Sequence, residues 1–386
     1  MGVLYLEGAD RLAASVGISG LQTGDTKAQA QAVMAELNKQ GGLGGRQIQP
    51  FYYGIKAADS ANDPTAAQQA GCVSLTQDSR VQVVVSILNI QPSTLACFAK
   101  AHTPVLDDIA GLPTVSRDLQ AFFFAPGDFS GRRLITNVVD GLWRTGWLTP
   151  RSTVGSFTYN TPEDLALVET ALKPALRLHG LTIAVQVATS NGADGVNQAD
   201  AAVLKYRAAN VDRVIPVLAS PLFLMEGASS QAYHPKFAVY STFGPGALLE
   251  TAAPRDELQG AAGIGWQPYL DIGSGTHPGP VSTNETRCFA IMAAAGEQTS
   301  SATAKGLQTN LCDVLFYLQA AAAALGGFDP QALSAAGARI GATFPAADTF
   351  RTDVSQRSDG AAGYRDLVYS AICSCFQYVG PVRVAP

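Results

Sequence analysis

The sequence predicts an α/β protein built from two doubly wound halves. Three observations carry this. Short apolar strand candidates alternate with amphipathic helix candidates, the order expected of a parallel sheet covered by helices. The alternation runs through the first 124 residues, breaks at AFFFAPGDFSG, and restarts at STVGSFTY. The length, 386 residues, suits two domains of roughly 100–200 residues each.

In the first half the strands are VLYL, QIQPFYY, VQVVVS and TPVLDD. The spacing predicts helices over 26–39, 65–78 and 93–101. Ala30, Val33, Met34 and Leu37 recur at helical spacing, and Gly41 stops that helix. The VVV run indicates a strand buried on both faces. AFFFAPGDFSG reads as a strand ending at Pro126-Gly127 and crossing to the second half. A helix over 129–147 follows, with Ile135, Val138, Val139, Leu142 and Trp143 on one side. Then come STVGSFTY, a helix over 163–178, LTIAVQVA, a helix over 197–209, DRVIPVLAS, a helix over 221–230 and KFAVYST. AAGIGWQP reads as a second crossing. A Gly/Pro/Ser-rich loop over 271–282 and helices over 284–296 and 304–325 follow. From Phe350 a third crossing leads to a closing strand, CSCFQYVG. No internal repeat of 20–50 residues interrupts this layout.

Composition narrows the function. Hydrophobic residues are 47% and charged residues 15%, enough for packed cores and against disorder. The net charge of −5 leaves no electrostatic footprint for nucleic acid. No polybasic run points to a membrane surface. No apolar run reaches the roughly 18 residues that span a bilayer; LQAAAAALGG is short and reads as a buried helix. Met1-Gly2 leads at once into the strand VLYLE, so a signal segment is expected to be absent from this sequence rather than from the precursor. Six cysteines, with no Cys-x-x-Cys and no histidine nearby, are a poor metal set. They fit paired disulfides in an oxidising compartment, although buried thiols are the plainer alternative.

No catalytic constellation stands out. The cluster Gly41-Gly42-Leu43-Gly44-Gly45 follows a helix and precedes a strand. A dinucleotide fingerprint needs the reverse order, so the cluster reads as a tight turn. There is no Walker lysine loop and no Gly-x-Ser-x-Gly elbow. His102, His179, His234 and His277 are scattered, without metal-ligand spacing. No cofactor and no metal are expected. Asp107 and Asp108 follow a strand, and three readings stay open: an acid–base pair, a hold on a ligand's ammonium or hydroxyl, and a helix cap. Asn284-Glu285-Thr286 is a glycosylation sequon.

What remains is a set of polar and aromatic loops after strands. In the first half these carry Ala9, Asp10, Asn89, Ile90, Gln91, Asp107 and Asp108. In the second they carry Tyr159, Asn160, Ser220, Thr242 and Phe243; Trp266, in the second crossing, completes the set. All sit at C-terminal strand ends, where open α/β sheets bind ligands. Two opposed halves would bring them to one crevice suited to a small polar molecule. Each residue alone can equally serve a turn or a cap.

The passage from Asn38 to Pro64 resembles a known family. Helix, Asn38, the glycine cluster, Arg46, a strand, Asp63-Pro64, a helix, a strand and the loop Asn89–Thr94 match the pattern of type I periplasmic solute-binding proteins of ABC importers, in the branched-chain amino-acid-binding class. The stretch from Asp359-Gly360 to Cys373-Ser374-Cys375-Phe376 resembles an actinobacterial branch. The resemblance implies two α/β domains joined by three crossing segments. The first would comprise 1–124 and 265–346, the second 125–264 and 347–386. It implies an extracytoplasmic monomer, secreted or lipid-anchored, that traps a small ligand by closure and delivers it to an ABC permease. It places ligand contacts on Asn89-Ile90-Gln91, on Asp107-Asp108-Ile109-Ala110 and near Tyr159. The family's usual acidic residue after the strand KFAVYS is replaced by Ser241-Thr242-Phe243, so Asp107 or Asp108 would take the charge role, or the ligand is not a plain α-amino acid. A sensor domain of the same fold, and an extracellular enzyme using Asp107 or Asp108, are the alternatives. By layout, Cys72 can meet Cys97 across neighbouring helices and Cys288 can pair likewise with Cys312, with the connectivity beyond Cys72–Cys97 left open. A bridge between Cys373 and Cys375 spans one residue and is strained, so these two are expected to be able to exchange partners with the second pair.

Overall fold

The computed structural model describes residues 1–15, 22–108, 117–190, 193–251, 253–272, 281–355 and 359–386. Among them the strands form two sheets. The first uses β1 (Gly2–Glu7), β2 (Phe51–Lys56), β3 (Val84–Ile87), β4 (Val105–Asp107) and β5 (Phe123–Phe124), in the order β2-β1-β3-β4-β5. All its pairings are parallel. The second uses β6 (Val154–Tyr159), β7 (Ile183–Thr189), β8 (Arg213–Val217), β9 (Lys236–Tyr240), β10 (Ala262–Gly265), β11 (Gly363–Ser370) and β12 (Cys375–Val384), in the order β12-β11-β10-β9-β8-β6-β7. It is parallel from β7 to β10, and β11 and β12 add an antiparallel hairpin at one edge.

Helices cover both sheets, and each sheet has its own cores. Val3, Val85 and Leu106 of the first sheet pack with Val33, Met34 and Leu37 of the helix Thr26–Lys39 and with the long helix Ala302–Leu325. Leu4, Val84 and Val105 face the other way, onto Cys72, Leu95 and Phe98. In the second sheet, Val154, Ile215 and Ala238 pack on Leu134, Val138 and Leu142 of the helix Gly131–Arg144. Alternate residues of one strand thus feed opposite layers, as pleat geometry requires of a sheet buried on both faces. The glycine turn is structural. Gly42 has φ of 73°, and a Cβ there would lie 2.0 Å from the Arg46 carbonyl oxygen, so the chain reverses only without a side chain. Asn38 ties this turn to the next segment through its amide, which accepts from the Ile48 N–H at 2.6 Å and donates to the Ile48 carbonyl at 2.9 Å.

The three crossings lie together. Ala125 bridges Asp359, and the Gly360 N–H donates to the Ala125 carbonyl at 2.7 Å. Arg133 pairs with Asp359 at 2.8 Å. The second crossing passes beside them, with Trp266 edge-on to Phe129 at 5.0 Å.

Several expectations change. QIQPFYY forms a strand only from Phe51. The segment expected to be pure crossing contains β11, which pairs with β12 to make a hairpin where one closing strand was expected. Cys373 and Cys375 sit at its turn and bond to each other, because the hairpin brings them together far from the other four. Cys72–Cys97 and Cys288–Cys312 pair as expected. Asn284 is 9% exposed inside the helix Thr283–Ala295, so the sequon is a buried helix start and not an open acceptor loop. Most of the loop expected over 271–282, with His277, lies outside the described residues.

Candidate functional site

A cleft of about 490 Å³ opens between the two sheets at the C-terminal ends of their strands. One wall comes from the first half. It includes Ala9 after β1, Thr23 and Thr26 around the start of the helix Thr26–Lys39, Gln68, and Asn89, Ile90 and Gln91 after β3. The facing wall is Tyr159, Thr161, Glu163 and Asp164 after β6, with Leu218 after β8.

The loop after β3 is held from behind by Gln68, a residue of the helix Pro64–Val73 that is only 3% exposed. Its Nε2 donates to the Asn89 carbonyl at 2.9 Å, and its Oε1 accepts from the Gln91 N–H at 2.8 Å. A buried amide satisfied at both ends fixes a backbone that otherwise has no sheet partner. Gln68 was not visible as a site residue in the sequence, since nothing in its local pattern marks it. Asp63 caps the same helix by accepting from the Ala66 N–H at 2.9 Å.

The second wall begins with Tyr159 at the end of β6. Burial raises its phenol above the usual value. Thr161 caps the helix Pro162–Leu167, accepting from the Asp164 N–H at 3.1 Å and donating to the Asp164 carboxylate at 2.8 Å. Burial pushes Asp164 up to about 6, against the lowering effect of the Thr161 hydroxyl. The Thr-x-x-Asp spacing at 161–164 is a capping signature that could have pointed to this residue. Leu218 has φ of 54°, an uncommon conformation for a branched aliphatic residue. The Tyr240 hydroxyl accepts from the Leu218 N–H at 3.1 Å and donates to the Pro216 carbonyl at 2.8 Å. A strained backbone held this firmly at a strand end is typical of binding loops.

Of the residues expected from sequence, Ala9, Asn89, Ile90, Gln91 and Tyr159 line the cleft. Asp10 is turned to Thr23 and accepts from its N–H at 3.0 Å and its hydroxyl at 2.6 Å, so it shapes the wall from behind. Asn160 continues the strand through its N–H, which donates to the Thr189 carbonyl at 2.7 Å. The Ser220 hydroxyl lies 3.4 Å from the Leu222 N–H at the start of the next helix. Thr242 and Phe243 form a short turn in which Phe243 packs on Tyr240 at 4.2 Å. None of these last four is among the residues of the cleft wall. Trp266 is fully buried in the second half's core.

Asp107 and Asp108 are the main correction. Both are 1% exposed, and neither belongs to the cleft wall. The Gly127 N–H donates to both Asp108 carboxylate oxygens, at 2.8 and 3.0 Å. That bond turns the side chain inward, to where the crossings meet. Asp313, on the long helix, accepts from the Ala347 N–H at 2.6 Å and the Asp348 N–H at 3.1 Å. Gln267 donates to Asp348 at 3.0 Å. Burial, and then repulsion from Asp313, hold Asp108 and Asp348 well above the usual carboxylate range. Nearby, Asp271 accepts from Ser241 at 3.0 Å, from the Gln267 N–H at 3.1 Å and from Tyr378. Burial pushes it up to about 7. Ile109 and Ala110, expected beside Asp108, lie outside the described residues.

No family model matches the chain, and no curated protein matches its sequence. Solved structures do match over nearly the whole length. A substrate-binding periplasmic protein from Ralstonia solanacearum superposes with a TM-score of 0.69 at 16% identity, covering 98% of this chain and 100% of that one. An ABC transporter substrate-binding protein from Desulfitobacterium hafniense, in complex with Leu, gives 0.63 at 13% identity, covering 98% and 99%. A solute-binding protein of an ABC transporter from Rhodopseudomonas palustris BisB5, in complex with 3,4-dihydroxybenzoic acid, gives 0.69 at 13% identity, covering 100% and 96%. The chain has the type I periplasmic binding-protein fold. At these identities the likeness is one of architecture. In this chain the cleft lies between the two sheets, and the three crossings join the two halves.

Proposed function

We propose that the protein is an extracytoplasmic solute-binding protein that captures a small polar ligand between its lobes and delivers it to an ABC importer. The observation that carries this is the cleft itself. Loops from the C-terminal ends of both sheets converge on it, and their backbone is braced from behind by Gln68 and Tyr240. The lobes are taken as 1–124 with 265–346 and 125–264 with 347–386. Closure about the three crossings would bring Tyr159 and Asp164 toward Asn89–Gln91. The compared structures are a substrate-binding periplasmic protein and two ABC transporter binding proteins, these two with Leu or 3,4-dihydroxybenzoic acid bound, which supports a binding role over an enzymatic one. The carboxylates put forward for acid–base chemistry are buried away from the cleft wall.

The wall also bears on ligand class. It carries Glu163 and Asp164 but, among the described residues, no Lys, Arg or His. A ligand with an ammonium or several hydroxyls suits it better than a simple carboxylate, which would meet like charge. A thermal-shift screen over amino acids, amines, polyols and hydroxylated aromatic acids tests the reading. One class should stabilise the protein by about 2.7 kcal/mol at 100 times its Kd. No stabilisation by any class would count against binding. Stabilisation by aromatic acids alone would overturn the preference for a cation.

A further inference from the structure

The junction of the three crossings holds a group of atoms that ligand capture does not use. Asp108, Asp313 and Asp348 each offer a carboxylate oxygen, and the three atoms lie within 4.8 Å of one another. The three residues are 1%, 0% and 2% exposed. None of the ion pairs among the described residues includes any of them. Asp128, fully buried, adds its negative potential to Asp108 and Asp348. Burying the carboxyls of Asp108, Asp313 and Asp348 side by side is expensive unless they take up protons or a cation.

A second observation comes from a residue that is not acidic. Gln267 is 1% exposed, and its amide is held against the cluster by its bond to Asp348 and its 3.5 Å approach to the Asp108 carbonyl. Its Oε1 is buried without a hydrogen-bond donor, and so is Oδ1 of Asp348. A half-turn of the amide exchanges its two ends and places Oε1 toward Asp348 as a further oxygen. Oδ1 of Asp348 and Oδ2 of Asp108 converge on the bare face of Gly127, 2.5 and 2.9 Å from where a Cβ would stand. The N–H groups of Gly127, Ala347 and Asp348 and the Gln267 amide donate to the three carboxylates, and Oδ1 of Asp348 and Oε1 of Gln267 are the oxygens left without a donor.

We propose that Asp108, Asp313 and Asp348, with Gln267, form a calcium site at the junction of the three crossings. An all-oxygen donor set suits a hard cation. Calcium–oxygen distances of about 2.3–2.6 Å put opposite ligands about 5 Å apart, which the observed spread fits. Magnesium keeps several waters and binds at about 2.0–2.1 Å, a poor match to a site sealed from solvent. The ion would join the end of β4, the long helix and the second and third crossings, and so set the stiffness of that junction.

The test uses the full chain after chelator treatment. Calorimetric titration with Ca²⁺ should show one ion bound per chain, and the melting temperature should rise with Ca²⁺ and fall with EDTA. Asp348→Asn should weaken binding by roughly 100-fold or more. Asp256→Asn, in the exposed group of His234, Asp256 and Glu257, should leave it unchanged. Terbium luminescence, sensitised through neighbouring Trp266, should be quenched by excess Ca²⁺. The wild type alone can overturn the proposal: no ion bound and equal melting with Ca²⁺ and EDTA would mean that the cluster carries protons instead. Binding lost in Asp256→Asn but kept in Asp348→Asn would move the site to the surface.

Discussion

Asp271 shows how one buried carboxyl sets a pH response. Its pKa rises from 3.8 unfolded to about 7 folded, so the folded state binds the extra proton. Its stabilising effect is complete below pH 4 and is lost as pH rises through 7. Asp271→Asn should therefore flatten the decline in stability between pH 4 and 7. The change is a few kcal/mol at most, since a tenfold difference in proton affinity is worth about 1.4 kcal/mol. Chemical denaturation across that range reads it, and an unchanged pH slope would contradict it. Asp164 makes a separate prediction in the cleft. It is charged only above about 6, so an ammonium ligand should bind more tightly as pH rises through that value, and Asp164→Asn should remove the dependence. At the back of the wall, Gln68→Leu removes two hydrogen bonds that hold Asn89 and Gln91. At about 1 kcal/mol each, affinity for the screened ligand should drop about tenfold or more, measured by calorimetry.

Elements were legible where periodicity was strong, and side-chain direction was not. The parallel strands, their helices and the first two disulfides follow from alternation and layout. The inward turn of Asp108 does not, because it depends on the Gly127 N–H nineteen residues later. Gln68 was hidden for the same reason: its partners lie on a loop beyond its own helix. The β11–β12 hairpin was missed because its first strand follows a Gly/Ser-rich stretch that reads as crossing. The disulfides make the element-scale prediction. Cys288–Cys312 joins two helices across a separation of 24 and is fully buried. Replacing both by Ser should cost roughly 3 kcal/mol. Cys373–Cys375 closes a separation of 2 on an exposed turn, so the same replacement there should cost far less. Equal losses in urea denaturation would contradict that ranking.

At the scale of the molecule, the lobes are connected by more than the crossings. Glu250, at the end of the helix Pro245–Glu250 against the second sheet, accepts from the Ala302 N–H at 2.6 Å and the Thr303 hydroxyl at 2.9 Å at the start of the long helix. This carboxylate at a helix N-terminus is favourable and ties a helix on the second sheet to the long helix on the first. The cleft between the two sheets is the proposed place of capture, with Asp108, Asp313 and Asp348 outside its lining. The most direct measurement is a crystal structure with the stabilising ligand from the screen. The predicted result is ligand density between Asn89–Gln91 on one wall and Tyr159–Asp164 on the other, with the walls drawn together. Density elsewhere on the molecule, with this cleft open and holding only solvent, would contradict it.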